Sequence, residues 1–158
     1  MRAIFRSCFI KNIVPAIVVA IAGFALLNIT FLFYFLLEQF FRLFRSDEPM
    51  FAYQRQWILN TERFLFLVIV GLISWLVFRS KLNTLYKAVY MTVPLAVILV
   101  TTGMFFYNLP IILYSVSVLF SAVVLLYLYF TKKPWIYYYT LVLVVISLTV
   151  FTLLGGEI

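Results

Sequence analysis

Apolar residues run through this chain in long blocks, interrupted by three polar links. The first block is Ile13 to Leu37, 25 residues without a charge. The second is Phe64 to Phe78, only 15 residues, and the third runs from Ala88 to Phe130, 43 residues. The last begins at Trp135 and ends at Leu154. A helix crosses the hydrocarbon of a bilayer with about 20 apolar residues, so the first and last blocks each match one span and the third matches two. Tyr107-Asn108-Leu109-Pro110 divides that third block, because asparagine suits a turn and proline suits the first turn of a helix.

The short second block reaches span length by drawing Trp57–Arg63 into the interface. A membrane-lying helix leading into a shorter span is the alternative. The pattern therefore predicts an all-α integral membrane protein, one bundle of five transmembrane helices. The expected spans are about 13–37, 60–78, 88–107, 110–130 and 135–154. Small residues form faces on three of them: Ala16, Ala20, Gly23 and Thr30 on the first, Ala88, Thr92 and Ala96 on the third, Ser117 and Ser121 on the fourth. Such faces let helices approach closely. Asn28, the most polar group of the first span, is expected to make an interhelical hydrogen bond, with a ligand contact as the other reading. Pro94 should kink the third helix unless it falls in its first turn.

The link between the first two spans, residues 38–63, is different in kind. It holds four of the five carboxylates (Glu38, Asp47, Glu48, Glu62) and four of the twelve basic residues (Arg42, Arg45, Arg55, Arg63). Glu38, Arg42 and Arg45 share a helical stripe opposite Phe40, Phe41 and Phe44. Ser46-Asp47-Glu48-Pro49 carries the start signals of a new helix. Beyond it, Glu48, Arg55 and Glu62 lie on one side and Trp57, Ile58, Thr61, Phe64 and Leu65 on another. Both spans are thus expected to extend as amphipathic helices beyond the membrane.

Charge sets the expected orientation. With the links placed on alternating sides, one side receives Arg2, Arg6, Lys11, Arg79, Lys81, Lys87, Lys132 and Lys133 and no acid. The other receives four basic residues and all five acids, Glu157 included. The positive-inside rule places the first set in the cytoplasm, giving N-terminus in, C-terminus out, in the cell membrane (the inner membrane, if bacterial). Tyr127, Tyr129, Trp135 and Tyr137–Tyr139 would then form an interfacial aromatic belt around the Thr131–Pro134 turn.

Composition narrows the function more than it names it. The chain is 66% hydrophobic and 11% charged, against roughly 25% charged residues in soluble domains. The +7 formal charge sits at span ends, where it orients the chain and meets anionic head groups, so no nucleic-acid partner is expected. There is no histidine and one cysteine, Cys8. This removes His-ligated haem, His-bearing metal sites, Ser–His and Cys–His pairs and intrachain disulfides. No ionisable residue lies within a span core, against a proton relay or ion-coupled transport. No cofactor or metal site is expected.

Three functions remain. The leading one is a non-enzymatic accessory protein or subunit that docks a membrane-protein partner, or a second copy, through the 38–63 segment. The second is a lipid-binding or lipid-translocating protein with Arg42, Arg45, Arg55 and Arg63, beside Trp57, on a phosphate head group. The third is an outer-face enzyme with Glu48 or Glu62 as general base. The lone thiol tests the orientation: an impermeant maleimide should label Cys8 only after cells are opened, and labelling of intact cells would invert the topology.

Overall fold

The computed structural model of the chain describes residues 2–43, 52–106 and 109–153, with side chains at 12–43, 61–106, 109 and 111–152. These residues form five α-helices: α1 (Arg2–Leu43), α2 (Ala52–Arg79), α3 (Thr84–Phe105), α4 (Pro110–Phe130) and α5 (Trp135–Leu153). All five are long and apolar enough to cross a membrane. The Ser46–Pro49 junction lies outside the described residues.

The two ambiguous stretches resolve simply. α2 is one continuous helix of 28 residues, about 42 Å long at 1.5 Å per residue. Residues 52–63 and the short second block therefore form one uninterrupted helix. α1 is longer still, 42 residues or about 63 Å, twice the hydrocarbon thickness of about 30 Å. α3 starts four residues earlier than its apolar block, because the Lys87 amide already bonds the Asn83 carbonyl at 3.2 Å. Pro110 opens α4 at its first turn, as its missing N–H favours.

α3 is the centre of the bundle. It packs against each of the other four helices, and 56% of its apolar stretch is buried, against 6% for α4. Its buried positions run around most of its circumference, from Ala88 and Met91 through Thr92, Val93 and Leu95 to Gly103. One core lies toward α1, α4 and α5, around Val19, Ala88, Leu95, Ala96, Leu128, Leu141 and Val144. The other lies toward α2, around Phe66, Val70, Val93 and Val97, with Tyr34 of α1 packed against it.

The small-residue faces do the joining. Gly23 meets Thr92 so closely that a methyl group added at Gly23 would stand 2.7 Å from Thr92 Cγ2. The Thr92 hydroxyl donates to the Val89 carbonyl at 2.8 Å and lies 3.4 Å from the Gly23 carbonyl. On the other flank, the Thr140 hydroxyl donates to the Ile136 carbonyl at 2.9 Å and lies 3.3 Å from the Ala88 carbonyl. α1, α3 and α5 thus meet through glycine, alanine and threonine, where backbones can approach.

Contacts fix the directions. Gly23 lies at Thr92, while Phe31 shares a cavity wall with Met104, so α1 and α3 run the same way. Ser74 stands beside Tyr90 and Arg63 beside Phe105, so α2 runs against α3. The links α2–α3 and α4–α5 gather Arg79, Lys81, Lys87, Lys132 and Lys133 at the end where α1 begins. Glu38, Arg42, Glu62 and Arg63 lie toward the opposite end.

Two glycines should separate cleanly. Gly23→Val forces a branched side chain against the stiff, buried Thr92 and should destabilise the fold by about 1–3 kcal/mol. Gly71 has open space around it, so Gly71→Ala should hold or raise stability, by up to about 1 kcal/mol. Thermal melting of the two variants in the same detergent checks the pair; equal losses would refute the close approach at Gly23.

Candidate functional site

Glu38, Arg42, Glu62 and Arg63 are the expected charged residues of the 38–63 segment whose side chains are described. Glu38 accepts a hydrogen bond from Arg42 at 2.6 Å, an i,i+4 ion pair on the surface of α1. Arg45 and Glu48 lie outside the described residues. Arg55 and Trp57 fall within α2, but their side chains lie outside the described set.

Glu62 and Arg63 are placed otherwise than a solvated polar face would have them. Glu62 is only 7% exposed. It continues the buried row Phe66, Val70 and Ser74, spaced at i+4, by which α2 packs. Thr61, Phe64 and Leu65, on the apolar side of the amphipathic pattern, are exposed. Phe66 and Val70 pack with Val93 and Val97 of α3 and Ser74 stands beside Tyr90, and no pattern within α2 itself encodes that choice. Arg63 is half-buried, with its guanidinium carbon 6.0 Å from the centre of the Phe105 ring. Its Nε is buried without a hydrogen-bond partner among the described residues. Arg63 also borders a cavity of about 40 Å³ shared with Tyr34 and Thr101, on the scale of a single water.

Asn28 makes no interhelical bond. Its Nδ2 donates to the Phe24 carbonyl at 2.8 Å within α1, and the residue is exposed. The carboxamide instead lines an open groove of about 610 Å³ between α1, α3 and α5. The floor of this groove is small (Ala20, Gly23, Ala96), and Thr92 and Ser147 are its other polar residues. On the α3 scale Asn28 falls near mid-helix, since Gly23 sits at Thr92 and α3 spans Thr84–Phe105. Ser117 and Ser121 line a further groove of about 470 Å³ where α4 stands off from α3 and α5.

The basic end holds a constellation that the spacing of residues did not single out. A groove of about 900 Å³ opens between α2, α3, α4 and α5. Arg79, Thr84, Lys87 and Lys133 line it together with Trp75 and Tyr137, and its apolar walls are Met91, Pro94, Leu95 and Ile98 of α3 and Phe120 and Val124 of α4. Among the described residues no carboxylate lines it. Pro94 sits in the interior of α3, not in its first turn, and its ring forms part of this wall.

Local structure holds each cation. Arg79 lies over the Trp75 ring at 5.1 Å, a cation–π contact within the last turn of α2. Lys87 donates from Nζ to the Phe78 carbonyl at 2.9 Å, capping the negative end of α2 from the first turn of α3. Lys133 follows a Schellman turn: the Lys133 amide bonds the Leu128 carbonyl and the Lys132 amide the Tyr129 carbonyl, both at 3.1 Å. Lys132 takes the left-handed conformation that this motif requires, φ 48°. Pro134 then ends the turn and α5 begins. The expected aromatic belt divides here. Tyr127, Tyr129 and Trp135 are exposed, while Tyr137 is 6% exposed and belongs to the core.

These residues were readable as charges at span ends, but not as neighbours. The signal that joins them is topological: two four-residue links at one end bring Arg79, Lys87 and Lys133 around the same opening. Among the described residues no group of His, Cys, Asp or Glu is arranged to hold a metal ion. No protein-family profile, no curated protein and no solved structure matches this chain.

The turn offers a direct check. Lys132→Gly removes the left-handed cost of a non-glycine residue, roughly 1 kcal/mol, while Lys132→Val adds strain, so the two variants should move the melting temperature in opposite directions. Loss of stability in both would refute the turn geometry.

Proposed function

We propose that this chain is a small multi-pass protein of the cell membrane that acts without catalysis, as an accessory protein or subunit docking the transmembrane helix of a partner. Its five helices span the bilayer with the N-terminus and the basic end in the cytoplasm. Five helices of span length and the gathering of cations at one end support this topology.

The observation that carries the docking role is Asn28. Its carboxamide is exposed near the middle of α1, at a groove floored by Ala20, Gly23 and Ala96. In hydrocarbon an exposed amide is costly, and its bond to the Phe24 carbonyl uses only one of its two N–H donors. A partner helix covers it and can hydrogen-bond it, while small residues admit the partner's backbone. The docking surface proposed here is therefore the groove, with the 38–63 segment as a further contact outside the membrane.

Lipid binding is the second reading, and the basic groove favours it more than the carboxylate end does. There Arg42 is paired with Glu38 and Arg63 lies against Phe105. An enzyme finds less support: Glu62 is buried in the α2 packing row, and Glu48 lies outside the described residues.

Mild-detergent purification from the native membrane should yield a complex, with a partner chain or a second copy retained. Asn28→Leu should weaken that complex roughly threefold to tenfold, the worth of an interhelical hydrogen bond in lipid, without lowering the melting temperature of the isolated chain. Ala20→Phe, which fills the groove, should weaken it further. A monodisperse single chain with no partner, or complexes unaffected by both variants, would overturn the proposal.

A further inference from the structure

The groove at the basic end matches the shape and charge of one class of membrane component. We infer that it binds an anionic phospholipid of the leaflet at that end, with the head group at Arg79, Lys87 and Lys133 and an acyl chain along α3. This rests on the membrane-spanning reading above, but uses a different surface from the Asn28 groove.

Charge comes first. The three cations lie at one opening, and among the described residues no carboxylate lines the groove. Of the five acids of the sequence four belong to the 38–63 link and one follows α5 in the chain, and the described ones, Glu38 and Glu62, lie toward the opposite end. Two of the cations are held by a contact that leaves donors over, Arg79 by its stack on Trp75 and Lys87 by one N–H on the Phe78 carbonyl, and the turn fixes the backbone of Lys133 at the groove. Guanidinium and ammonium groups are the usual partners of phosphate oxygens.

Length comes second. On α3 the lining runs from Thr84 to Ile98, and the stretch from the cation Lys87 to Ile98 is about 16 Å at 1.5 Å per residue. Half of the hydrocarbon thickness is about 15 Å. The apolar wall therefore extends from head-group depth to the bilayer midplane, the reach of a single leaflet. A free phosphate or a soluble anion would use the cations and leave this wall unexplained. A neutral chain would use the wall and leave the cations unexplained.

Third is the surface on which the groove opens. In the proposed orientation this end faces the cytoplasmic leaflet, where anionic lipids concentrate and each nearby Lys or Arg adds to attraction. Trp75 is exposed beside Arg79, and Tyr127 is exposed across the groove on α4. Both are residue types that settle at head-group depth.

The test uses the full chain in nanodiscs of equimolar phosphatidylglycerol and phosphatidylcholine with identical acyl chains. Lipid retained after transfer to mild detergent is read by native mass spectrometry. The wild-type chain should retain phosphatidylglycerol in preference. Arg79→Gln and Lys133→Gln should each cut that preference roughly fivefold, whereas Arg42→Gln at the opposite end should leave it unchanged. Val124→Trp, which fills the apolar wall and keeps every cation, should lose the retained lipid. Equal retention of both lipids by the wild type overturns the inference, as does an undiminished preference in the double Gln variant or retention by Val124→Trp. Failure of the chain to enter nanodiscs at all would sink the membrane-spanning reading instead, so the two failures are distinguishable.

Discussion

The approach of three helix backbones at Gly23, Thr92, Ala88 and Thr140 is the constraint on which the bundle depends. A helix surrounded by lipid gains little by exchanging hydrocarbon for another helix's side chains, so association has to come from contact and from hydrogen bonds. Gly23 has no side chain to hold α1 away from Thr92, and Ala88 is small enough to leave its carbonyl 3.3 Å from the Thr140 hydroxyl. α3 is pinned on both flanks by these contacts and becomes the post around which the other helices stand.

The same constraint explains where the bundle is open. Gly23 of α1, Ala88 and Thr92 of α3 and Thr140 of α5 stand where these three helices close up. α4 carries Leu, Val, Phe and Tyr along most of its length and is buried at Leu128. It therefore stands off α3 and α5, leaving a groove lined by Ser117 and Ser121 on one side and the basic groove on the other. α2 meets α3 through a single row, Glu62 to Ser74, and its last turn is tied down by Lys87.

How side chains divide between core and surface was the least readable property. Asn28 looks like an interhelical bond donor because such groups in apolar helices usually are, yet it satisfies one donor on its own helix and faces a groove. Glu62 looks like part of a solvated stripe with Arg55, yet α3 takes it into the packed row. The tyrosines of the α4–α5 turn look like one belt, yet Tyr137 turns into the core while Tyr127 and Tyr129 stay out. In a lipid-facing protein both faces of a helix are apolar, so hydrophobic periodicity does not mark the buried side as it does in water.

What the amino-acid order determined by itself was the number of helices, their approximate ends and the split of charge between the two ends. Those follow from local rules: apolar run length, proline at a helix start, and cations gathered in particular links. The small-residue faces on α1 and α3 were equally legible, because glycine, alanine and threonine at helical spacing announce close packing wherever they occur. Tertiary structure alone decided that α3 is central, that α2 packs by its Glu62 row, and that Arg79, Lys87 and Lys133 share one opening. Each of these depends on which surfaces of separate helices meet. That is a property of three-dimensional fit between elements far apart in the chain, and no single stretch of sequence contains it.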